Sequence, residues 1–262
     1  MHDQAITLNS QPATASLLRR TWPVALLGVF GVLSMLLQPV PAGVLERAPA
    51  LAALPPLALG AVLLINPMIL VLLATLVGGA LAHRVGLGSV LGGTAPVDGW
   101  QGSLVQAAGW GMATGFMLAA IDTVITPFLG SAWQTLIAGS PTGLVPLAIG
   151  ILYGGLAEEV MLRWGVMSLA AWCAFSLLGR QRSRPAMVLA IIAAAGLFAA
   201  AHLPAVASQA ELTPAIVLRT LGLNGIAGLL YGWLFWRWHL EAAMAAHAAT
   251  HLGLAAWRMT LG

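Results

Sequence analysis

Six ionisable side chains stand inside long apolar runs of this sequence: Glu158, Glu159 and Arg163 in one run, His202 in a second, and His247 and His251 in a third. Such groups cost at least about 2.5 kcal/mol each in hydrocarbon on insertion scales, so a concentration of them points to a site. On a helix Glu159 and Arg163 are i,i+4 neighbours, which lets the guanidinium neutralise that carboxylate, while Glu158 projects about 100° away. One carboxylate is held by a cation and the other is left for proton chemistry, unless all three side chains form one structural ion network. His247 and His251 share a helix face at the same spacing, and His202 follows Phe198 by four residues. Ala243, Ala246, Ala248 and Ala249 flank the histidine pair with small side chains that leave room for a cavity.

Two hydrolytic chemistries fit these residues. Glu158 paired with an imidazole could act as a general base on water. Alternatively His202, His247 and His251, with a carboxylate, make a zinc shell whose bound water is the nucleophile. The run His247-Ala248-Ala249-Thr250-His251 lacks the glutamate of the HExxH zinc motif, so the metal reading stays conditional.

Helices that cross a membrane must position these groups. The chain has 262 residues, 60% hydrophobic and 7% charged, against roughly 25% charged in soluble domains. The expected spans are residues 22–38, 56–82, 103–128, 144–178, 186–206, 214–236 and 240–258, giving an all-α polytopic bundle of about seven helices, within a range of six to eight. Proline and glycine clusters at Pro39 to Pro56, Gly86 to Gly99 and Gly130 to Gly143, and the segment Gly179 to Pro185, separate them. Residues 144–178 are long for one span, so they should tilt, protrude or break near Gly154-Gly155. Three regions follow: a disordered cytoplasmic tail over 1–21, N-terminal transmembrane helices over 22–143, and a helical core over 144–258.

All eleven basic residues are arginine. Seven of them (Arg19, Arg20, Arg84, Arg180, Arg182, Arg184 and Arg237) fall on one side and Arg47 and Arg258 on the other, which places the N-terminus in the cytoplasm. No basic stretch with interleaved aromatics appears, so nucleic acid is excluded as a partner. The single Cys173 rules out an intrachain disulfide and reads as a small buried residue. Among the remaining polar groups, Asp122 could serve the site but is expected rather to pair with Arg219 or to stand at a helix end, and Asn224 should bond between helices. The sixth span carries Gly222, Gly225, Gly228 and Gly232, and the small-xxx-small spacing of Gly228 and Gly232 allows close helix contact. Trp100, Trp110, Trp133, Trp233, Trp236, Trp238 and Trp257 read as interface anchors.

Taken in order, Glu158-Glu159-Val160-Met161-Leu162-Arg163 resembles an EExxxR motif and Phe198-Ala199-Ala200-Ala201-His202 an FxxxH motif. The His247 to His251 run resembles the third motif of the CAAX prenyl protease and bacteriocin-processing (CPBP, or Abi) family. The resemblance covers residues 144–258. It implies an intramembrane endopeptidase in a bacterial plasma membrane that acts on membrane-proximal peptide segments, prenylated or lipid-anchored ones included. It further implies that Glu158 activates water with His202 as partner, that His247 and His251 stabilise the oxyanion, and that Glu159 and Arg163 position the first glutamate. The family's third motif usually ends in Asn where this chain has His251, and a neutral imidazole still supplies one donor. A non-catalytic scaffold for immunity or partner binding, and a proton-coupled or metal-ion transporter, are the other functions open to the same residues. One difficulty is depth. At about 1.5 Å per residue from the cytoplasmic ends, Glu158 lies near ~30 Å, His202 near ~24 Å, and His247 and His251 near ~10 to 16 Å, so straight helices ending at these boundaries would not bring them together.

Overall fold

The computed structural model describes residues 15–40, 42–178 and 183–261, with only the backbone at 42, 43, 47 and 261. The N-terminal part of the expected tail, Arg180 and Arg182 lie outside the described residues. The chain runs as α1 (Leu17–Leu33), α2 (Ala42–Arg47), α3 (Pro56–Leu81), α4 (Trp100–Ile125), α5 (Ser131–Ala138), α6 (Leu144–Leu177), α7 (Arg184–Ala201), α8 (Leu203–Ala207), α9 (Pro214–Arg237) and α10 (Leu240–Leu261). Short 3₁₀ turns extend α1, α3 and α4, and no strand occurs among the described residues. Residues 17–21, placed in the tail by the sequence reading, begin α1 instead. Hydroxyl caps start three helices: Ser16 accepts from Arg19 N–H, Ser183 from Ala186 N–H and Thr213 from Ile216 N–H.

Among the described residues six helical segments are long and apolar enough to cross a membrane: Leu17–Leu37, Pro56–Val85, Trp100–Leu129, Leu144–Leu177, Arg184–Ala207 and Pro214–Arg237. The seventh expected span is present as α10, a helix of 22 residues. It is more polar because it carries Glu241, His247, Thr250, His251 and Arg258, and α4, α6 and α9 pack around it. Leu26, Leu57, Val105 and Leu218 are among the large apolar side chains left on the outside of the bundle, where lipid rather than water is the natural solvent.

Between helices in lipid, close van der Waals packing replaces the hydrophobic effect, and small residues make it possible. The contact of α4 with α10 is the tightest case. A Cβ at Gly111 would lie 2.0 Å from Ala246 O, one at Gly115 2.3 Å from Thr250 O, and one at Gly253 2.5 Å from Met112 O. Thr250 Oγ1 adds a hydrogen bond to Gly111 O at 3.1 Å. On α9, Gly228 and Gly232 meet Ala195 and Ile191 of α7 as expected, whereas Gly222 and Gly225 face open space. The tryptophan reading needs one correction, since Trp133 is only 3% exposed and lies under the Arg219 guanidinium. Cys173 is exposed, not buried, because it faces outward from α6.

The fourth span does not break at Gly154-Gly155. Instead α6 continues through two wide-turn π stretches, Gly150–Glu158 and Val160–Met167, where π geometry normally occupies a single turn, often at a functional site. Tyr153, Gly154 and Glu158 line the cavity from these turns.

The depth difficulty does not persist in the structure, where His247 Nδ1 lies 2.7 Å from Glu159 Oε1. The segment 86–99 folds against the start of α10: Leu240 N–H donates to Gly88 O at 3.0 Å, and the Glu241 carboxylate accepts from Ser89 Oγ at 2.5 Å and from the Val90 and Leu91 N–H groups at 3.1 Å each. An acidic side chain at a helix N-terminus also complements the helix dipole. Anchored there, α10 runs antiparallel to α6 with Ala248 against Gly155 and His251 against Gly150 and Gly154.

Packing this close makes an asymmetric prediction for two glycines on one helix. Gly111→Val should lower the Tm of the detergent-solubilised protein, with an overpacking cost typical of about 1–3 kcal/mol. Gly109→Val, whose Cβ meets nothing within 4 Å, should not lower it; thermal unfolding of the two variants against the parent measures the difference.

Candidate active site

The site is organised around Glu159, which is fully buried. Its Oε1 accepts from Arg163 Nη1 at 3.0 Å and from His247 Nδ1 at 2.7 Å. A buried carboxylate needs a cation and hydrogen bonds to offset its lost hydration, and Arg163 supplies the cation. Arg163 is itself fully buried and is held in turn: Nη2 donates to Gly228 O at 3.1 Å, and the guanidinium carbon sits 4.6 Å from the Phe198 ring centroid and 5.1 Å from that of Tyr231. Cation–π attraction to two aromatic faces is strongest where water is excluded. This cluster thus links α6, α7, α9 and α10.

A carboxylate oxygen only accepts, so the bond from His247 to ionised Glu159 places the imidazole proton on Nδ1 and turns Nε2 toward Glu158. The gap from His247 Nε2 to Glu158 Oε2 is 3.9 Å, too long for a direct hydrogen bond and of a size that one bridging water fills. His247 is fixed on its faces by stacking on Tyr231 at 4.4 Å and on His251 at 5.2 Å, with Phe198 edge-on at 5.6 Å. His202 sits at the end of α7, where Nδ1 is 2.8 Å from Phe198 O. A carbonyl can only accept, so Nδ1 carries the proton and the Nε2 lone pair of neutral His202 remains available.

These groups line one cavity of about 500 Å³, walled by α4, α6, α7, α9 and α10. Glu158, with its side chain 18% exposed, faces into it beside His202, His247 and His251. Glu159 and Arg163 lie behind the wall. The expected division between a held and an available glutamate is thus the geometry observed. Two glycines create the room, since a Cβ at Gly150 would lie 2.5 Å from His251 Nδ1, and one at Gly154 would lie 2.8 Å from His251 Nε2 and 3.1 Å from His247 Nε2.

Further out, Arg219 makes a two-pronged pair with Asp122, at 2.8 Å from Nε and 2.5 Å from Nη2, as the sequence suggested. Asn224 differs from expectation. Its amide donates to Thr220 O within its own helix at 2.9 Å and lines the cavity rather than joining two helices. Sequence reasoning passed over the tyrosines. The chain has two, and both Tyr153 and Tyr231 line the cavity; their scarcity in so apolar a chain was the available signal.

The geometry does not match the conditional zinc shell. The rings of His247 and His251 lie nearly parallel, 14° apart. Among the described residues no group of three or more His, Cys, Asp or Glu side chains is arranged to hold a metal ion. The residues as placed do not fit the metal, and no step below runs through one.

Residues 140–253 match the family model described as type II CAAX prenyl endopeptidase Rce1-like. This stretch is an Rce1-like domain. No curated protein and no solved structure matches the chain. The Rce1-like domain reaches from just before α6 to beyond His251 and includes Glu158, Glu159, Arg163, His202, His247 and His251. It agrees with the CPBP resemblance read from the three motifs. The helices before residue 140 lie outside the match, yet α1 and α3 pack on α6, and α4 on α10.

Two consequences can be measured. Arg163→Met leaves Glu159 as an uncompensated buried charge, for which losses of about 3–5 kcal/mol are typical. The double variant Glu159→Gln/Arg163→Met should recover part of that loss in unfolding experiments. If the double variant were no more stable than Arg163→Met, the carboxylate would not be the source of the cost.

Proposed function

We propose that this protein is an integral-membrane endopeptidase of the CAAX-protease type, in which Glu158 and His247 activate one water held between them. The single observation that carries the reading is the 3.9 Å gap between Glu158 Oε2 and His247 Nε2, two acceptors facing each other across the space of one water on a cavity wall. That Glu159 fixes the proton of His247 on Nδ1 supports it, because only then is Nε2 an acceptor. The Rce1-like match supports the reaction class.

In this mechanism the water donates to Glu158 and His247, with the His202 lone pair as a further acceptor on the same wall. Glu158 removes a proton as the water oxygen bonds to the scissile carbonyl carbon. Charge then develops on the carbonyl oxygen, and the N–H of His251 stabilises it; a positioned donor of this kind is typically worth about 10²–10³ in rate. Transfer of the proton from Glu158 to the amide nitrogen breaks the C–N bond and yields one carboxylic acid and one amine, with water consumed. Glu159 and Arg163 touch no reacting atom and act by positioning His247.

The substrate is a peptide segment close to the membrane, anchored by its own apolar or lipid part, which lies among the bundle helices while the scissile bond enters the cavity. The enzyme resides in a bacterial plasma membrane with its N-terminus in the cytoplasm, and residues 144–258 form the catalytic core.

The test compares membrane proteins cleaved by the parent with those cleaved by Glu158→Gln, identified by mass spectrometry, with and without chelator. Loss of a general base typically costs about 10²–10⁴ in rate, so Glu158→Gln should abolish detectable cleavage while its Tm is retained. Cleavage that persists unchanged in Glu158→Gln would refute the assignment, and cleavage abolished by chelator in the parent would replace the water activation by metal chemistry. Gly154→Ala, which puts a methyl group against both imidazoles, should likewise reduce cleavage without unfolding the protein.

A further inference from the structure

The mouth of the catalytic cavity and five of the described arginines lie at opposite ends of the bundle. Arg19 and Arg20 are at the start of α1, Arg84 is in the turn that ends the α3 segment, Arg184 begins α7 and Arg237 ends α9. The cavity instead opens among Pro146 near the start of α6, Val206 and Gln209 after α7, and Asp122 and Arg219. Two antiparallel helices give the separation independently. From Arg184 to His202 along α7, and from Arg237 back to Arg219 along α9, the rise is 18 residues, or about 27 Å. That is close to the ~30 Å of a bilayer's hydrocarbon core. The arginine layer and the cavity mouth therefore lie near opposite faces of the membrane.

Positive residues flanking spans are retained on the cytoplasmic side. Five arginines stand at the far end. At the mouth end stand three, Arg47, Arg219 and Arg258, of which Arg219 pairs with Asp122. Resting on the endopeptidase reading of the same site, we propose that the cavity opens to the non-cytoplasmic face, so that the enzyme takes peptide segments presented there. Its substrate class is then membrane-anchored peptides whose scissile bond has already been carried across the membrane. A chain anchored on the cytoplasmic leaflet would have its scissile bond on the wrong side. The reaction that supplies the substrate must therefore be a translocation or membrane-insertion step.

The side of the mouth can be read without any substrate. In the full-length protein with Cys173→Ser, single cysteines are placed at Gln209→Cys on the cavity rim and at Asp98→Cys in the 86–99 segment, both exposed positions. They are treated with a membrane-impermeant maleimide in sealed bacterial spheroplasts and again after permeabilisation. Gln209→Cys should label several-fold more than Asp98→Cys in sealed spheroplasts, and permeabilisation should bring Asp98→Cys up. The inference is overturned if Gln209→Cys needs permeabilisation, or if the two positions label alike while the spheroplasts are sealed. The same labelling in a Glu158→Gln background reads orientation apart from catalysis: cleavage lost with the pattern reversed would sink the orientation alone, and the expected pattern with cleavage unchanged would sink only the catalytic assignment.

Discussion

A single carboxylate oxygen, Oε1 of Glu159, joins a guanidinium on its own helix to an imidazole on another. In a dry interior that carboxylate has no alternative to these partners, and each partner imposes a further requirement. Arg163 needs the Gly228 carbonyl and the faces of Phe198 and Tyr231. His247 needs Tyr231 to stack on and Gly154 to clear its Nε2 edge. Four helices are fixed relative to one another by the demand to satisfy one buried charge. The cost of burying an ion pair is large enough that such a cluster is weak evidence for stability and better evidence for specificity of arrangement. Here the arrangement it specifies is the direction of an imidazole lone pair.

The helices outside the Rce1-like match serve that arrangement. Glycines on α4 let its backbone approach α10 within contact of the Ala246 and Thr250 carbonyls, which sets the height of the turn bearing His247 and His251. The 86–99 segment ties the first turn of α10 through Glu241 and Leu240, and Ser103 of α4 meets His239 at 2.7 Å. The two adjacent glutamates of α6 point apart, Glu158 into the cavity with Tyr153 and Glu159 onto His247 of α10. The same wall thereby carries an available carboxylate and a committed one.

Much of this was legible in the sequence because the bilayer restricts the choices. Hydrocarbon admits few backbones, so apolar runs separated by proline and glycine located the helices to within a few residues, and ionisable groups inside those runs marked the residues the structure brings together. What the sequence left open depended on geometry that a regular 3.6-residue period does not contain. The i,i+4 rule linked Glu159 to Arg163 but could not show that His247 shares the same oxygen. It also suggested a break at Gly154-Gly155, where the chain widens instead of breaking, because the glycines are needed to admit imidazoles from α10. The depth mismatch came from counting along straight helices from assumed span ends; the contact of His247 with Glu159 and the 86–99 segment folded against the start of α10 are invisible to a hydropathy reading. Three histidines in successive motifs suggested a zinc shell, and among the described residues no three His, Cys, Asp or Glu side chains are grouped to hold a metal ion.

The central claim is that Glu158 and His247 flank a common water whose position is set by Glu159. The most direct measurement is an experimental structure of the protein in lipid at a resolution that shows ordered solvent. The account predicts one water within hydrogen-bond distance of both Glu158 Oε2 and His247 Nε2, with Nδ1 of His247 on Glu159. A Glu158 side chain turned away into apolar neighbours, or a His247 bonded to Glu159 through Nε2, would contradict it.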